Sequence, residues 1–253
     1  MDYVGRFAPS PTGPLHYGSL VAAVASFLDA RHAGGKWLLR IEDLDPPRES
    51  IDAPQEIIRQ LLAFGLHWDL EVLCQSSRLK SYDDALESIQ AFTFPCTCSR
   101  KAVPGIYPGT CRLRKHLAPV GPYAVRLQVP RHSVSINDRC LGLQTWDLEK
   151  EVGDFIIKRK DGLHAYQLAV VVDDIHYSVS HIVRGNDLLD STPRQLALYE
   201  QLEVSPPEYL HIPVLVDESG NKLSKQAHAK PVDTSDALTT IRSALSDLGQ
   251  NTH

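Results

Sequence analysis

The chain contains no run of about 18 apolar residues, so no transmembrane helix is expected. Its opening residues, Met1-Asp2-Tyr3-Val4-Gly5-Arg6, lack a basic stretch leading into an apolar one, and no secretory signal is expected either. There is no internal repeat and no low-complexity segment. Cysteine is scarce and odd in number, with five residues, at 74, 96, 98, 111 and 140. An odd count with three members clustered fits a metal site in the reducing cytoplasm better than a disulfide framework. Neither sign of charge dominates: 26 Lys+Arg face 31 Asp+Glu, for a formal net charge of −5. That balance argues against a protein that coats nucleic acid without specificity. The 43% hydrophobic and 23% charged residues are ordinary for a globular chain, which excludes a disordered protein and a disulfide-built miniprotein. At roughly 150 residues per domain, 253 residues suggest one large domain, or one domain with an insertion.

A local absence qualifies the mean charge. From Ser88 to Asn137 there is no Asp or Glu, yet the stretch holds Arg100, Lys101, Arg112, Arg114, Lys115, Arg126 and Arg131. All 31 acidic residues lie outside it. The segment reads equally as a solvated lobe or as a surface for nucleic-acid phosphates.

The pattern at the N-terminus is a βαβ crossover. A short strand ends at Phe7, and Pro9, Pro11, Gly13 and Pro14 then force a loop. Leu20, Val21, Val24, Phe27 and Leu28 recur at helical spacing from Gly18 to His32, and Gly34-Gly35 ends the helix. Trp37 to Ile41 reads as a buried strand, so a parallel sheet is expected. Further helices are predicted at Asp52–Phe64, Ser81–Phe92, Pro193–Leu202 and Thr234–Leu248. Asp154–Lys158 reads as an apolar run. Leu168–Val172 (LAVVV) reads as a strand buried on both faces, and His211–Val216 as another strand followed by a turn at Asp217–Gly220. The turn-rich stretch between Pro95 and Pro130 looks like an insertion. The expected organisation is a first half-domain over 1–93, an insertion over 94–131 and a second half over 132–253.

Two segments carry candidate chemistry. The first, Arg6-Phe7-Ala8-Pro9-Ser10-Pro11-Thr12-Gly13-Pro14-Leu15-His16-Tyr17-Gly18-Ser19, leaves a parallel strand and opens a helix. Ligands bind at that edge of open α/β sheets, and the unpaired amides of a helix start suit phosphate. Taken alone, it reads also as a structural loop. The second is Lys222-Leu223-Ser224-Lys225-Gln226, where two ammonium groups flank a hydroxyl; alone it reads also as a solvated basic turn.

Together they resemble the two signatures of class I aminoacyl-tRNA synthetases, HIGH and KMSKS, here His16-Tyr17-Gly18-Ser19 and Lys222–Gln226. The string RFAPSPTG, Arg40-Ile41-Glu42-Asp43-Leu44-Asp45, Tyr166 in HAYQLAVVVDD and Arg184-Gly185-Asn186-Asp187-Leu188 narrow the resemblance to the glutamyl branch. Within it the chain is most similar to the short paralogues that glutamylate queuosine in aspartate tRNA. The resemblance runs from Tyr3 to about Leu248. It implies a Rossmann-like α/β catalytic domain with a small zinc-bearing insertion. It also implies activation of L-glutamate by ATP without tRNA, then transfer to the queuosine base in the anticodon of tRNA(Asp).

By the same resemblance, Arg6, Ala8, Ser10, Glu42, Tyr166 and Arg184 bind glutamate. Two cations and an anion suit two carboxylates and an ammonium, because an unpaired buried charge is costly. His16, Gly18, Ser19 and Lys225 bind ATP, with His16, Lys222 and Lys225 as the catalytic set and Mg²⁺ accompanying the nucleotide. Cys96, Cys98 and Cys111 read as zinc ligands. The sequence alone points to His116 as the fourth; the resemblance points to Tyr107, through C-x-C…Y-x₃-C, although the stretch from Cys98 to Tyr107 is shorter than in the family. The Asp43/Asp45 and Asp173/Asp174 pairs are expected to be structural, as are Cys74 and Cys140. A monomer without an obligate protein partner is expected. The rival enzyme is a glutamyl-tRNA synthetase core that charges the tRNA 3′ end, against which the absence of a segment after Leu248 is taken to speak. A zinc-stabilised RNA-binding module with a decayed active site would need broken signatures.

Overall fold

The computed structural model describes residues 2–114, 118–214 and 231–250. Two compact units emerge. The first takes the described residues up to Ser77, Val179–Leu189 and those from Pro207 on; the second takes Arg78–Ser178 and Asp190–Pro206. The described residues of the 94–131 stretch lie inside the second unit.

In the first unit, β1 (Val4–Phe7), β2 (Lys36–Ile41) and β3 (Leu73–Cys74) form a parallel ladder in the order β1-β2-β3, with Arg6 opposite Leu38. A second parallel pair, β9 (His181–Gly185) and β10 (Glu208–Ile212), sets Arg184 opposite His211. The two ladders meet at their starting edges, where the Ser180 amide donates to the Val4 carbonyl at 2.9 Å. Helix α1 (Tyr17–His32) connects β1 to β2 and packs on β1, β2 and β9. Gly34 sits at φ 65° just past its end, and a side chain at Gly35 would collide with the Tyr3 carbonyl 2.4 Å away, so only glycine lets β2 begin there. Leu20, Val21 and Val24 from α1, Trp37, Leu39 and Ile41 from β2, and Ile57 and Leu61 from α2 (Ala53–Ala63) form the core, joined by Val183 and Ile212. α6 (Ala237–Asp247) packs on α1.

The second unit is built differently. β4 (Thr93–Cys96), β5 (Ala124–Leu127) and β8 (Phe155–Lys158) form an antiparallel sheet, and β6 (Ser133–Asp138) and β7 (Gly142–Asp147) a separate hairpin. α3 (Leu79–Ser88), α4 (Tyr166–His176) and α5 (Thr192–Gln201) complete it, with α4 packed on both other helices.

One expectation is overturned here. The apolar run Leu168–Val172 lies inside α4 and is not a strand. Leu168, Ala169, Val170, Val171, Asp173 and Asp174 are all buried, so packing outweighs the weak helix preference of the valines. A short continuous apolar run does not distinguish a buried strand from a buried helix, and the eleven-residue element settles it. Two boundaries also move. The strand expected at His211–Val216 spans Glu208–Ile212, with Val216 and the turn at Asp217–Gly220 outside the described residues. The helix expected at Ser81–Phe92 ends at Ser88, before a separate turn at Gln90–Phe92.

Candidate functional site

The first unit gathers polar side chains at the carboxyl ends of its parallel strands. Arg6 near the end of β1, Glu42 just after β2 and Arg184 near the end of β9 are all buried: Arg6 is 5% exposed, Arg184 4%, and the Glu42 side chain 8%. β1 connects through α1 to β2 on one side and borders β9 on the other, so these residues frame the point where the strand order reverses, the usual ligand crevice of such sheets. Glu42 pairs with Arg40 at 3.1 Å, which holds it among neighbours that would otherwise disfavour a buried carboxylate. Its amide donates to the Pro9 carbonyl at 3.0 Å, tying the end of β2 to the proline-rich loop. Ala8 is half-buried and Ser10 exposed in that loop, and the Ser50 amide donates to the Pro11 carbonyl at 2.9 Å.

The loop ends at His16, which caps α1. The Ser19 amide donates to His16 Nδ1 at 3.2 Å, and Ser19 Oγ lies 2.9 Å from Nε2. An Nδ1 that accepts puts the proton of a neutral ring on Nε2, beside Ser19 Oγ. Gly18 and Ser19 stand in the first turn of α1.

Lys222 and Lys225 lie outside the described residues, but both flanks of that segment are visible. Pro231 pairs with His16, and the Val232 amide donates to the Leu15 carbonyl at 2.9 Å. On the other flank, the Val214 amide donates to Asn186 Oδ1 at 3.2 Å. The buried Gln60 side chain accepts from the Leu15 amide at 2.8 Å and donates to the Val232 carbonyl at 3.4 Å. The chain after the second signature is thus fastened to the loop of the first. Tyr166 belongs to the second unit, as the first residue of α4, and is half-buried there.

The second unit holds the cysteines. Among the described residues, Cys96, Cys98 and Cys111 form the one cluster of three metal-ligating side chains, with their sulfurs within 4.8 Å of one another. Cys98 Sγ and Cys111 Sγ are 3.5 Å apart. Four tetrahedral ligands about 2.3 Å from zinc stand roughly 3.8 Å apart, so the cluster fits. The Tyr107 hydroxyl lies 3.7 Å from Cys96 Sγ and 3.9 Å from Cys98 Sγ, and it accepts from the Cys111 amide at 2.7 Å. His116 lies outside the described residues. Burial pushes the Cys111 thiol up, but hydrogen bonding from Tyr107, the Thr97 backbone and the two neighbouring thiols outweighs it and brings it down to about 6. Burial, together with bonding to Cys111 and Cys96, holds the Cys98 thiol above its ordinary value. Three thiols this close, one of them biased toward the thiolate by its neighbours, are a donor set that a zinc ion could use.

Tyr107 is braced from behind. The Arg126 guanidinium lies 4.0 Å over its ring and donates to the Asp154 carbonyl at 2.7 Å, while Arg112 reaches the Asp154 carboxylate at 3.3 Å. Burial raises the Asp154 carboxyl above the usual range despite these cations. Arg131 pairs with Glu149 at 3.3 Å. Two cations of the acid-free segment are therefore paired with acids that follow it in sequence and a third, Arg126, is held by a backbone carbonyl, whereas Lys101 and Arg114 are exposed. Sequence reasoning singled out neither this brace nor His211. Both depend on which residues become neighbours across strands, and neither leaves a local signature.

The other acidic pairs hold the fold. Asp43 accepts from the Ser76 amide and hydroxyl at 2.9 and 2.6 Å, and Asp173 accepts from Arg78 and Tyr82 at 2.6 and 2.9 Å. Among the described residues, no helix is long and apolar enough to cross a membrane.

Known proteins give the same picture. The model of the catalytic domain of class I tRNA synthetases (E and Q) matches residues 3–102 and 111–242, leaving out the stretch that holds Tyr107. The glutamyl-Q tRNA(Asp) synthetase of Pseudomonas fluorescens is 49% identical over 254 residues, covering 98% of this chain and 85% of the relative. That of Pseudomonas putida F1 is 51% identical over 256 residues, at 99% and 85%. The glutamate tRNA ligase of Elizabethkingia meningosepticum, solved in complex with its amino acid, superposes with a TM-score of 0.80 at 26% identity. The match covers 89% of this chain and 52% of that one, so this chain spans about half the length of the ligase. With both signature segments, the parallel-strand site and near-complete coverage in agreement, the chain belongs to the glutamyl-Q tRNA(Asp) synthetase family of class I tRNA synthetases.

Proposed function

We propose that this protein activates L-glutamate with ATP, without needing tRNA, and transfers it to the queuosine base in the anticodon of tRNA(Asp). The observation that carries the proposal is the set of buried charges at the carboxyl ends of β1, β2 and β9: two arginines, Arg6 and Arg184, and one carboxylate, Glu42. Glutamate has the complementary charges, two carboxylates and one ammonium. Arg6 and Arg184 take the carboxylates, and Glu42 takes the ammonium, with the loop at Ala8 and Ser10 lining the pocket. The names of the relatives support the same reading.

In the first step, an oxygen of the glutamate α-carboxylate attacks the α-phosphorus of ATP and pyrophosphate leaves. Little covalent chemistry falls to the protein; positioning and charge stabilisation carry the step. His16, Gly18 and Ser19 at the start of α1 bind the triphosphate, which brings its own Mg²⁺, the present hydrogen bonds between His16 and Ser19 being exchanged for bonds to the phosphate. Lys222 and Lys225 neutralise the charge that develops on it. In the second step, a hydroxyl of the queuosine cyclopentenediol attacks the mixed anhydride, AMP leaves, and a phosphate oxygen takes the proton. Cys96, Cys98, Cys111 and Tyr107 hold a structural zinc, whose chemistry is confined to cross-linking its own loop. We assign the protein to the cytoplasm, where a thiol cluster stays reduced, and take it to act as a monomer.

ATP–pyrophosphate exchange tests the first step. Exchange that needs glutamate but no tRNA is expected. Lys225→Ala should lower it roughly 10²–10³-fold, as removal of one transition-state charge donor does, without shifting the unfolding midpoint. A strict requirement for tRNA would point to 3′-end charging, and no exchange at all to a decayed site.

A further inference from the structure

Arg184 and His211 stand opposite each other in the β9–β10 register, and their side chains meet: Arg184 Nε donates to His211 Nε2 at 3.0 Å. His211 is fully buried and Arg184 4% exposed. Tyr209, two residues before His211 and so on the same face of the sheet, sits under the guanidinium, 5.3 Å from its carbon to the ring centre. The Tyr209 and His211 rings lie nearly coplanar in orientation, 5° apart, with centroids at 5.7 Å. The opposite face of this pair, carrying Val183, Leu210 and Ile212, belongs to the hydrophobic core. The contacts of this buried arginine thus include one in-plane hydrogen bond and one contact to its face, and two such constraints orient a planar group.

We infer that His211 is the positioning residue for Arg184, and through it for a substrate carboxylate. The inference rests on Arg184 being a glutamate ligand, as proposed above. The chemistry explains why the partner is a histidine. An Nε2 that accepts belongs to a neutral imidazole with its proton on Nδ1. A neutral acceptor orients the guanidinium without itself cancelling the positive charge. An aspartate or glutamate in the same place would neutralise that charge and compete with the substrate for it. The adjacent parallel strand supplies the rigidity, since neither partner stands on a loop.

The test is ATP–pyrophosphate exchange on the full chain, with KM measured separately for glutamate and for ATP. His211→Phe keeps a ring and removes the acceptor. It should raise the glutamate KM roughly 10- to 100-fold, the range for losing one hydrogen bond to a charged group, while the ATP KM stays put. His211→Gln, whose carbonyl can accept, should restore most of the loss. His211→Glu should be worse than His211→Phe, because it cancels the charge. A merely structural role would move both KM values together and would not separate Gln from Phe by glutamate alone. Arg184→Ala distinguishes the two layers. If it raises the glutamate KM and His211→Phe does not, the positioning role is overturned and the glutamate site stands. If Arg184→Ala leaves the glutamate KM unchanged, both fall. Should the variants fail to fold, nitrogen-15 histidine NMR of the unaltered protein decides. Bare Nε2 with protonated Nδ1 on His211 is expected, and a proton on Nε2 would overturn the assignment.

Discussion

In the first unit, the ionisable side chains sit on continuous parallel strands: Arg6 on β1, Arg40 at the end of β2 with Glu42 beyond it, Arg184 and His211 across β9 and β10. In the second, the thiols of Cys96, Cys98 and Cys111 come from short turn-rich pieces hung on a small antiparallel sheet, with Tyr107 braced by Arg126. The strands of the first unit are already ordered by an apolar core of α1, α2 and the sheet, so charge can be buried there by pairing it. The core beside the cysteines is small, consisting of Phe94, Cys96 and Tyr107 with Val103 and the other two cysteines packed against it. A core of that size would gain from a cross-link, which a metal ion held by these thiols would supply. The parallel-strand site therefore draws its order from packing, the cysteine loop is expected to draw its own from ligation, and perturbations should separate them.

Loss of the metal should have the largest effect. Structural zinc contributes an apparent binding energy of about 10–16 kcal/mol in zinc-finger peptides. Cys98→Ser should lower zinc content and open residues 94–131 to protease, while peptides from β1, α1 and β2 keep their hydrogen-exchange protection. Unchanged metal stoichiometry would remove the site, and equal loss of protection in both units would remove the contrast. Glu42→Gln strikes the other unit. Breaking a buried ion pair costs about 3–5 kcal/mol, so the urea midpoint should fall with zinc content untouched. A shift under about 1 kcal/mol, the scale of an exposed pair, would mean that pairing does not order the strand ends.

A smaller effect is expected at Gly153. It has φ 65°, and a side chain there would lie 2.6 Å from Ile106 Cγ2 and 3.2 Å from the Tyr107 amide. Gly153→Ala should cost roughly 1–3 kcal/mol of backbone strain and weaken zinc binding in competition with a chromophoric chelator. Glutamate-dependent exchange should be unaffected. The finest probe is the pH profile of alkylation in zinc-stripped protein, read by mass spectrometry. The thiolate is the reactive form, so labelling of Cys111 should be slow below pH 6, rise through about 6 and level off above it. Cys98, held above the ordinary thiol value, should respond only at more alkaline pH. A Cys111 midpoint near the unperturbed value of about 8.5 would show that its neighbours do not pre-ionise it.

The same contrast explains what could be read from sequence. The βαβ crossover was legible because its apolar runs are bounded by Pro9, Pro11, Pro14 and Gly34-Gly35, local signals with local consequences. The cysteine cluster was legible from spacing, and Tyr107 came from resemblance before the hydroxyl was found among the thiols. The run Leu168–Val172 misled because its burial, and not its periodicity, selects a helix. The pairings Arg184–His211 and Arg126–Tyr107 were invisible for a different reason. Each joins residues 27 and 19 positions apart, respectively, that meet only through strand register or packing. The acid-free segment promised a basic surface, yet Asp154 and Glu149 reach Arg112 and Arg131 in space. Charge counted along a chain is not charge displayed on a face.

The central claim is that the parallel-strand site makes activated glutamate for an anticodon base. Transfer of labelled glutamate to queuosine-containing and queuosine-free tRNA(Asp), followed by nuclease mapping, tests it most directly. The account predicts label on the anticodon fragment of the queuosine-containing tRNA alone. Label on the 3′-terminal adenosine, or equal labelling of both tRNAs, would contradict it.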